Sequence, residues 1–210
     1  DPEGGHQPVY SQSGRFVAIL NGEIYNYKVL RQELRGAGFS FRSDGDAEVV
    51  VNLYERLGVR ALDRLRGMFA IAIWDRQEEK LILARDPLGI KPLFYCQRGH
   101  QFLFGSEIKS ILEAIPESLY VNGQALDALL AYTYIPAPLT IWKDVSKLEP
   151  GHYLTWQNGR WSTEAYWDLL SAPAMPPLST EELQAALDDS IRMHLVSDVE
   201  VGAFLSGGLD

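Results

Sequence analysis

Three prolines in eight residues divide this chain. Residues 171–178 read Ser-Ala-Pro-Ala-Met-Pro-Pro-Leu. A proline supplies no backbone N–H and pushes the residue before it out of the helical region. Neither a helix nor a central strand runs through such a stretch, so it reads as a linker between two folding units. A well-marked helix follows: Ser179 and Glu182 have the spacing of a capping box, and Leu183, Leu187 and Ile191 recur every four residues. The chain then reads as a buried apolar strand from Val201, running into Ser206-Gly207-Gly208-Leu209-Asp210. Two glycines after a strand let consecutive N–H groups approach a pyrophosphate, and Asp210 could hold Mg²⁺. Taken alone, Ser-Gly-Gly is equally a tight turn.

With 210 residues, 46% of them hydrophobic, the chain can bury one substantial core and begin a second. A formal net charge of -9 argues against a sequence-independent nucleic-acid binder or a polybasic membrane-surface protein. The longest apolar runs, such as Met68 to Trp74, are far too short to span a bilayer. One cysteine, Cys96, excludes an internal disulfide framework and fits a reducing cytoplasm. The start at Asp1, without Met or a signal-like segment, and the stop inside a glycine loop both suggest a fragment cut at each end.

Before the linker the pattern is mixed. Phe16 to Leu20 is a short strand ending at Asn21-Gly22. Asn26 to Gly36 turns helical, with Asn26 as N-cap and Leu30 and Leu34 on one face. Asp46 opens a second helix that buries Val49, Val50, Leu53 and Leu57 and ends at Gly58. Met68 to Trp74 and Leu81 to Ala84 flank a polar turn, as do Gly151 to Trp156 and Trp161 to Tyr166; both read as hairpins. Pro92 to Cys96 and Gln101 to Gly105 form another strand pair, and Ile108 to Ala114 and Leu126 to Tyr132 are short helices. The fold class is α+β, antiparallel strands covered by helices, followed by the start of a doubly wound α/β domain.

Asn21-Gly22-Glu23-Ile24-Tyr25-Asn26 carries the first chemistry. Asn-Gly after a strand usually makes a hairpin turn, but here the chain enters a helix instead. An Asn amide beside a Gly N–H offers two adjacent donors, the minimal equipment of an oxyanion hole for acyl transfer. Glu23 sets a carboxylate beside them, so a substrate bearing a carbonyl and an ammonium group would find partners for both. Asp46 could supply a second carboxylate, or only favour the dipole of its own helix. The charged loop Arg85 to Tyr95 reads as a structural turn with Arg85 or Asp86 salt-bridged. Cys96, inside a strand, reads as a packing residue. His6, His100, His152 and His194 have no metal-site spacing. Trp142, Trp156, Trp161 and Trp167 read as core or interface residues.

Seven segments in order resemble the glutamine-dependent asparagine synthetase family. They are NGEIYN (Asn21 to Asn26), GDAE (Gly45 to Glu48), GMFAIAIWD (Gly67 to Asp75), RDPLGIKPLFY (Arg85 to Tyr95), SEIK (Ser106 to Lys109), LEPGHYL (Leu148 to Leu154) and SDVEVGAFLSGGLD (Ser197 to Asp210). The resemblance implies a class II glutamine amidotransferase domain over residues 1–168, an N-terminal-nucleophile-hydrolase-like β sandwich between helical layers. It implies a linker over 169–178 and the start of an ATP-pyrophosphatase domain over 179–210. It further implies glutamine hydrolysis in the first domain, with the ammonia passing through an internal tunnel to an aspartyl-adenylate made from ATP and Mg²⁺ in the second. By motif match, Asn21 and Gly22 form the oxyanion hole, and Glu23 and Asp46 hold the glutamine α-amino group. Leu205, Ser206, Gly207, Gly208 and Asp210 begin the ATP site, with Asp210 as the Mg²⁺ residue.

The family's nucleophile is an N-terminal cysteine, and its arginine for the glutamine carboxylate lies just before the position matching Asp1. This chain has neither, so by itself it is expected neither to hydrolyse glutamine nor to make asparagine. Two alternatives stay open: an amidotransferase acting on another carboxylate, of a sugar or a peptide, and a non-catalytic scaffold that kept the fold. The expected partners are glutamine, aspartate and ATP, with no nucleic acid, no membrane and a homodimer left open.

Overall fold

A computed structural model describes residues 5–115, 119–171, 173, 175–196, 201–202 and 204–208. The chain divides into two compact units, residues 2–172 and 173–210.

The larger unit is built on two antiparallel sheets. Strands β1 (Val9–Tyr10), β2 (Phe16–Ile24), β3 (Gly67–Asp75), β4 (Lys80–Arg85), β8 (His152–Gln157) and β9 (Arg160–Ala165) form one sheet in the order β1-β2-β3-β4-β8-β9. The second has the order β6-β5-β7, from β5 (Phe94–Arg98), β6 (Gln101–Gly105) and β7 (Ser146–Lys147). The period of two along each strand sorts the side chains into layers. Ala18, Leu20 and Ile24 of β2, with Phe69, Ile71 and Ile73 of β3, pack against helices α1 (Tyr27–Gly36) and α2 (Asp46–Leu57). Their alternates Ala70, Ala72, Leu81 and Leu83 face the other way and meet Leu93 and Tyr95 of the small sheet's side. Beyond that sheet, Cys96 and Val145 pack on Ile111 of α3 (Ile108–Glu113). The layers run helix, sheet, sheet, helix, the expected α+β sandwich. A 3₁₀ turn over Gly58–Arg64 links α2 to β3, and α4 (Gly123–Tyr132) follows α3.

Leu30 and Leu34 of α1, and Val49, Val50 and Leu53 of α2, are almost wholly buried, as their spacing predicts. Each such side chain contributes roughly 1.5–3 kcal/mol on burial. Two local expectations are corrected. Strand β2 does not stop at Leu20: it continues through Asn21 and Gly22 to Ile24, because β3 pairs with it along its whole length, from Phe16↔Asp75 to Ile24↔Gly67. Asn26 sits at the N-cap of α1 but its side chain does not cap the helix. It donates to Arg64 O (2.9 Å) and accepts from Arg66 N–H (3.0 Å), tying the end of β2 to the start of β3.

In the smaller unit, α5 (Thr180–His194) carries the predicted capping box, with Glu182 N–H to Ser179 Oγ at 3.2 Å and Ser179 N–H to Glu182 Oε2 at 2.8 Å. Its stripe of Leu183, Leu187 and Ile191 is exposed. The buried terminal strand is not formed: Val201, Gly202 and 204–208 have no strand pairing, and Phe204 and Leu205 are fully exposed. A strand needs a neighbour to take its N–H and C=O groups, and none of the described residues offers one. Leu209 and Asp210 lie outside the described residues.

Candidate functional site

The backbone of β2 creates the site. Along an antiparallel strand, successive residues turn their N–H and C=O groups to opposite edges. Phe69 stands opposite Gly22 but directs both of its backbone groups to Asp86: its N–H donates to Asp86 Oδ2 (3.2 Å) and its carbonyl accepts from Asp86 N–H (2.9 Å). The even residues of β2 therefore turn their polar groups to the sheet's outer edge. There Ala18 lies opposite Val9 of β1. Leu20 is closed by a side chain acting as a strand: its N–H donates to Gln7 Oε1 (2.6 Å) and its carbonyl accepts from Gln7 Nε2 (2.9 Å). Ile24 N–H donates to Asp46 Oδ2 (2.9 Å). Between them, Gly22 N–H meets no acceptor among the described residues.

Gly22 has to be glycine. Its φ is +148°, and a Cβ there would collide with Met68 O and Phe69 Cα of β3. This close approach fixes the height of the open N–H. The odd residues Asn21 and Glu23 then share the opposite face of the strand, both exposed. Asn21 Nδ2 donates to Ser106 Oγ (2.8 Å), just beyond β6. A cavity of about 250 Å³ opens beside this bond between the sheets, walled by Ile19, Ala70, Ala72, Leu93 and Phe104.

Asp46 reaches the strand through a braced loop. Arg31 lies stacked near Tyr27 and Phe41, with its guanidinium carbon 5.6 and 5.0 Å from their ring centres. It donates to Asp44 Oδ1 (2.6 Å) and Gly45 O (2.8 Å). Buried Glu48 accepts from Arg42 N–H, Ser43 N–H and Ser43 Oγ. The bend before α2 is thus held from both sides, and Asp46, its first residue, is delivered to Ile24, next to Glu23. Asp46 is more than a dipole partner for its helix.

The four positions predicted from sequence, Asn21, Gly22, Glu23 and Asp46, therefore come together at one strand edge. Gln7, Arg31, Glu48 and Ser106 were not foreseen as parts of it. Chemically the edge offers an N–H with no acceptor among the described residues, a side-chain amide and carboxylates, suited to a polarised carbonyl beside an ammonium group.

The other expectations resolve differently. Arg85 and Asp86 do form a structural turn, but no salt bridge joins either to another side chain among the described residues: both bond backbone groups instead. Cys96 is buried, and burial pushes its thiol up, away from a reactive thiolate. No cluster of three His, Cys, Asp or Glu side chains that could hold a metal occurs among the described residues. No helix among them is long and apolar enough to cross a membrane. Around Ser206, Gly208 N–H reaches Ser206 Oγ only at 3.4 Å, and Leu205 stands in solvent.

Residues 1–167 match the glutamine amidotransferase domain family, and residues 182–210 match the asparagine synthase family. The chain is 38% identical over 213 residues to asparagine synthetase [glutamine-hydrolyzing] 1 of Bacillus subtilis, covering 100% of this chain and 34% of that protein. It is 37% identical over 228 residues to asparagine synthetase [glutamine-hydrolyzing] 2 of the same organism, covering 98% and 29%. The chain thus spans about a third of the length of these relatives. Among solved structures, the allosteric regulatory enzyme of purine biosynthesis superposes with a TM-score of 0.55 at 22% identity, covering 78% of this chain and 32% of that one. Glutamine phosphoribosylpyrophosphate amidotransferase from B. subtilis gives 0.53 at 23% identity, covering 77% and 32%. Those two share the fold of the larger unit. With its sandwich, its strand-edge site and a match across residues 1–167, the chain belongs to the glutamine amidotransferase domain family.

Proposed function

We propose that the larger unit binds L-glutamine at the β2 edge and takes part in hydrolysing its side-chain amide. The ammonia then goes to a second domain, beginning in residues 179–210, that amidates aspartate to asparagine at the expense of ATP. The open Gly22 N–H is the single observation that carries the reading. A buried or sheet-paired backbone donor is normally satisfied, and this one meets no acceptor among the described residues, between two closed neighbours.

In this reading the carbonyl oxygen of the glutamine side chain lies against Gly22 N–H and Asn21 Nδ2. As a nucleophile adds, negative charge grows on that oxygen, and donors already in place stabilise it without reorganising. Glu23 and Asp46 receive the α-ammonium group, which fixes the substrate's register relative to the donors. Cys96 does not supply the attacking thiol, because it is buried on the far face of the small sheet. That role is left to the N-terminal cysteine of the family pattern. ATP enters as a substrate of the second domain. The match of residues 182–210 to the asparagine synthase family supports its use, and no step is assigned to Ser206, Gly207, Gly208 or Asp210.

The test is to supply the full-length protein with glutamine, aspartate, ATP and Mg²⁺, and to measure glutamate, asparagine and pyrophosphate together. All three should appear, in matched amounts. Glutamate without asparagine, and pyrophosphate only with a different acid, would move the acceptor. A protein that releases no glutamate under any of these conditions would end the glutaminase reading.

A further inference from the structure

An oxyanion donor works only if it is already aimed when charge develops. Gly22 N–H meets this condition through its strand, which β3 pins along its full length. Asn21 does not meet it through the strand alone. Its side chain is exposed and turns about two bonds, so in water the amide would spread over several rotamers. One side-chain contact among the described residues restrains it, the 2.8 Å bond from Asn21 Nδ2 to Ser106 Oγ, across 85 positions of sequence.

Ser106 is itself firmly placed. It follows Gly105, which pairs with Phe94 at the end of β6. A Cβ on Gly105 would collide with Ser110 Oγ, so the turn after β6 packs directly onto that side chain. Ser110 Oγ in turn donates to Glu107 O (2.7 Å), closing the turn at the start of α3. The oxygen that meets Asn21 is therefore carried by the small sheet, and the amide it meets is carried by the large one.

We propose that Ser106 is a positioning residue for Asn21. Its hydroxyl accepts one amide N–H and so leaves the other N–H directed for an incoming carbonyl oxygen. The proposal rests on the reading of Asn21 and Gly22 as the carbonyl-polarising pair. It adds that the donor's aim is set from the opposite sheet, so the site is complete only when the sandwich is closed.

The test uses the full-length protein and glutamate release, with kcat and KM measured separately and the fold of each variant checked by thermal melting. Ser106→Ala should lower kcat about 3–10-fold, the effect of one ordinary hydrogen bond, with KM unchanged within about twofold. Ser106→Thr keeps the hydroxyl and should restore kcat. Asn21→Ala should lower kcat about 100- to 1,000-fold, and adding Ser106→Ala to it should change nothing more, because Ser106 acts only through Asn21. If Ser106→Ala does not fold, Ser106→Cys, similar in size but a weak acceptor, gives the same reading. A normal kcat in Ser106→Ala with a depressed one in Asn21→Ala would overturn the role of Ser106 and spare the site. Full additivity in the double variant would make Ser106 merely structural. A normal kcat in Asn21→Ala would remove the site itself, and this proposal with it.

Discussion

In sequence, Arg85-Asp86 and Asn21-Gly22-Glu23 look alike: each is a short polar run at the end of an apolar strand. In structure they are opposites. Asp86 is 1% exposed, and its carboxylate accepts from the N–H groups of Phe69, Leu88, Ile90 and Lys91. Arg85 donates to three carbonyls, of Lys91, Leu148 and Gly89, at 2.6–2.8 Å, and burial lowers its pKa. The charged groups of Arg85 and Asp86 close on the backbone around them. At the β2 edge the chain does the reverse: among the described residues Gly22 N–H meets no acceptor, and Glu23 is exposed. Polar groups satisfied internally hold the fold, whereas polar groups held rigid but unsatisfied are available to a ligand.

The largest test of this contrast is Asp86→Ala. Four backbone donors would lose their acceptor, and the buried N–H of Phe69 could not turn to water. The whole chain should lose about 3–5 kcal/mol of stability, measured as a shift in the urea midpoint of the larger unit. A loss below ~1 kcal/mol would mean that water reaches the loop, and the contrast would fail.

Glu23→Gln should behave in the opposite way. The exposed carboxylate makes no hydrogen bond or ion pair among the described residues, so stability should stay within ~0.5 kcal/mol. Losing a charged partner for an ammonium group costs about 1.5–3 kcal/mol, so the KM for glutamine in the full-length protein should rise about 10- to 100-fold. A destabilised protein with normal KM would place Glu23 with the Asp86 kind of residue.

How far these two regions could be told apart in advance depended on range. Hairpins β3–β4 and β8–β9 follow from strand-like runs on either side of polar turns, and α1 and α2 from the spacing of Leu30 and Leu34 and of Val49 and Leu53. Strands β1 and β7, two residues each, have no local signature, because pairing with neighbours alone makes them strands. The same pairing overrode the turn signal of Asn21-Gly22 and carried β2 on to Ile24. Residues 201–202 and 204–208 show the converse: part of an apolar run expected as a strand, they stay unpaired where no neighbour among the described residues meets them. Within the site, Asn21, Gly22 and Glu23 are adjacent and so were legible. Gln7 and Ser106 are not, since they reach β2 from 13 and 85 positions away, and nothing in a Gln or a Ser announces such a partner. Arg31 was hidden similarly, its partner Asp44 being 13 positions on.

The smallest effect concerns Asp75, which belongs with Asp86 rather than with Glu23. Its carboxylate takes a two-pronged bond from Arg15, at 2.9 and 2.6 Å, and also accepts from Gln77 and Glu78 N–H in the β3–β4 turn. The Arg15 bond is the main reason that its pKa falls below the ordinary 3.8, with the turn N–H groups adding to it against the opposing effect of burial. Near that pH the unfolded chain therefore binds more protons at this position than the folded one. By linkage, the contribution of Asp75 is fully present above about pH 5 and is lost as pH falls through 3.8 and below. Asp75→Asn should be less stable than the parent at pH 6, and the gap between their urea midpoints should close between pH 5 and pH 2. A gap for Asp75→Asn that stayed constant down to pH 2 would mean that Arg15 does not hold the charged form, and that this turn is closer to the open edge than to the closed loop.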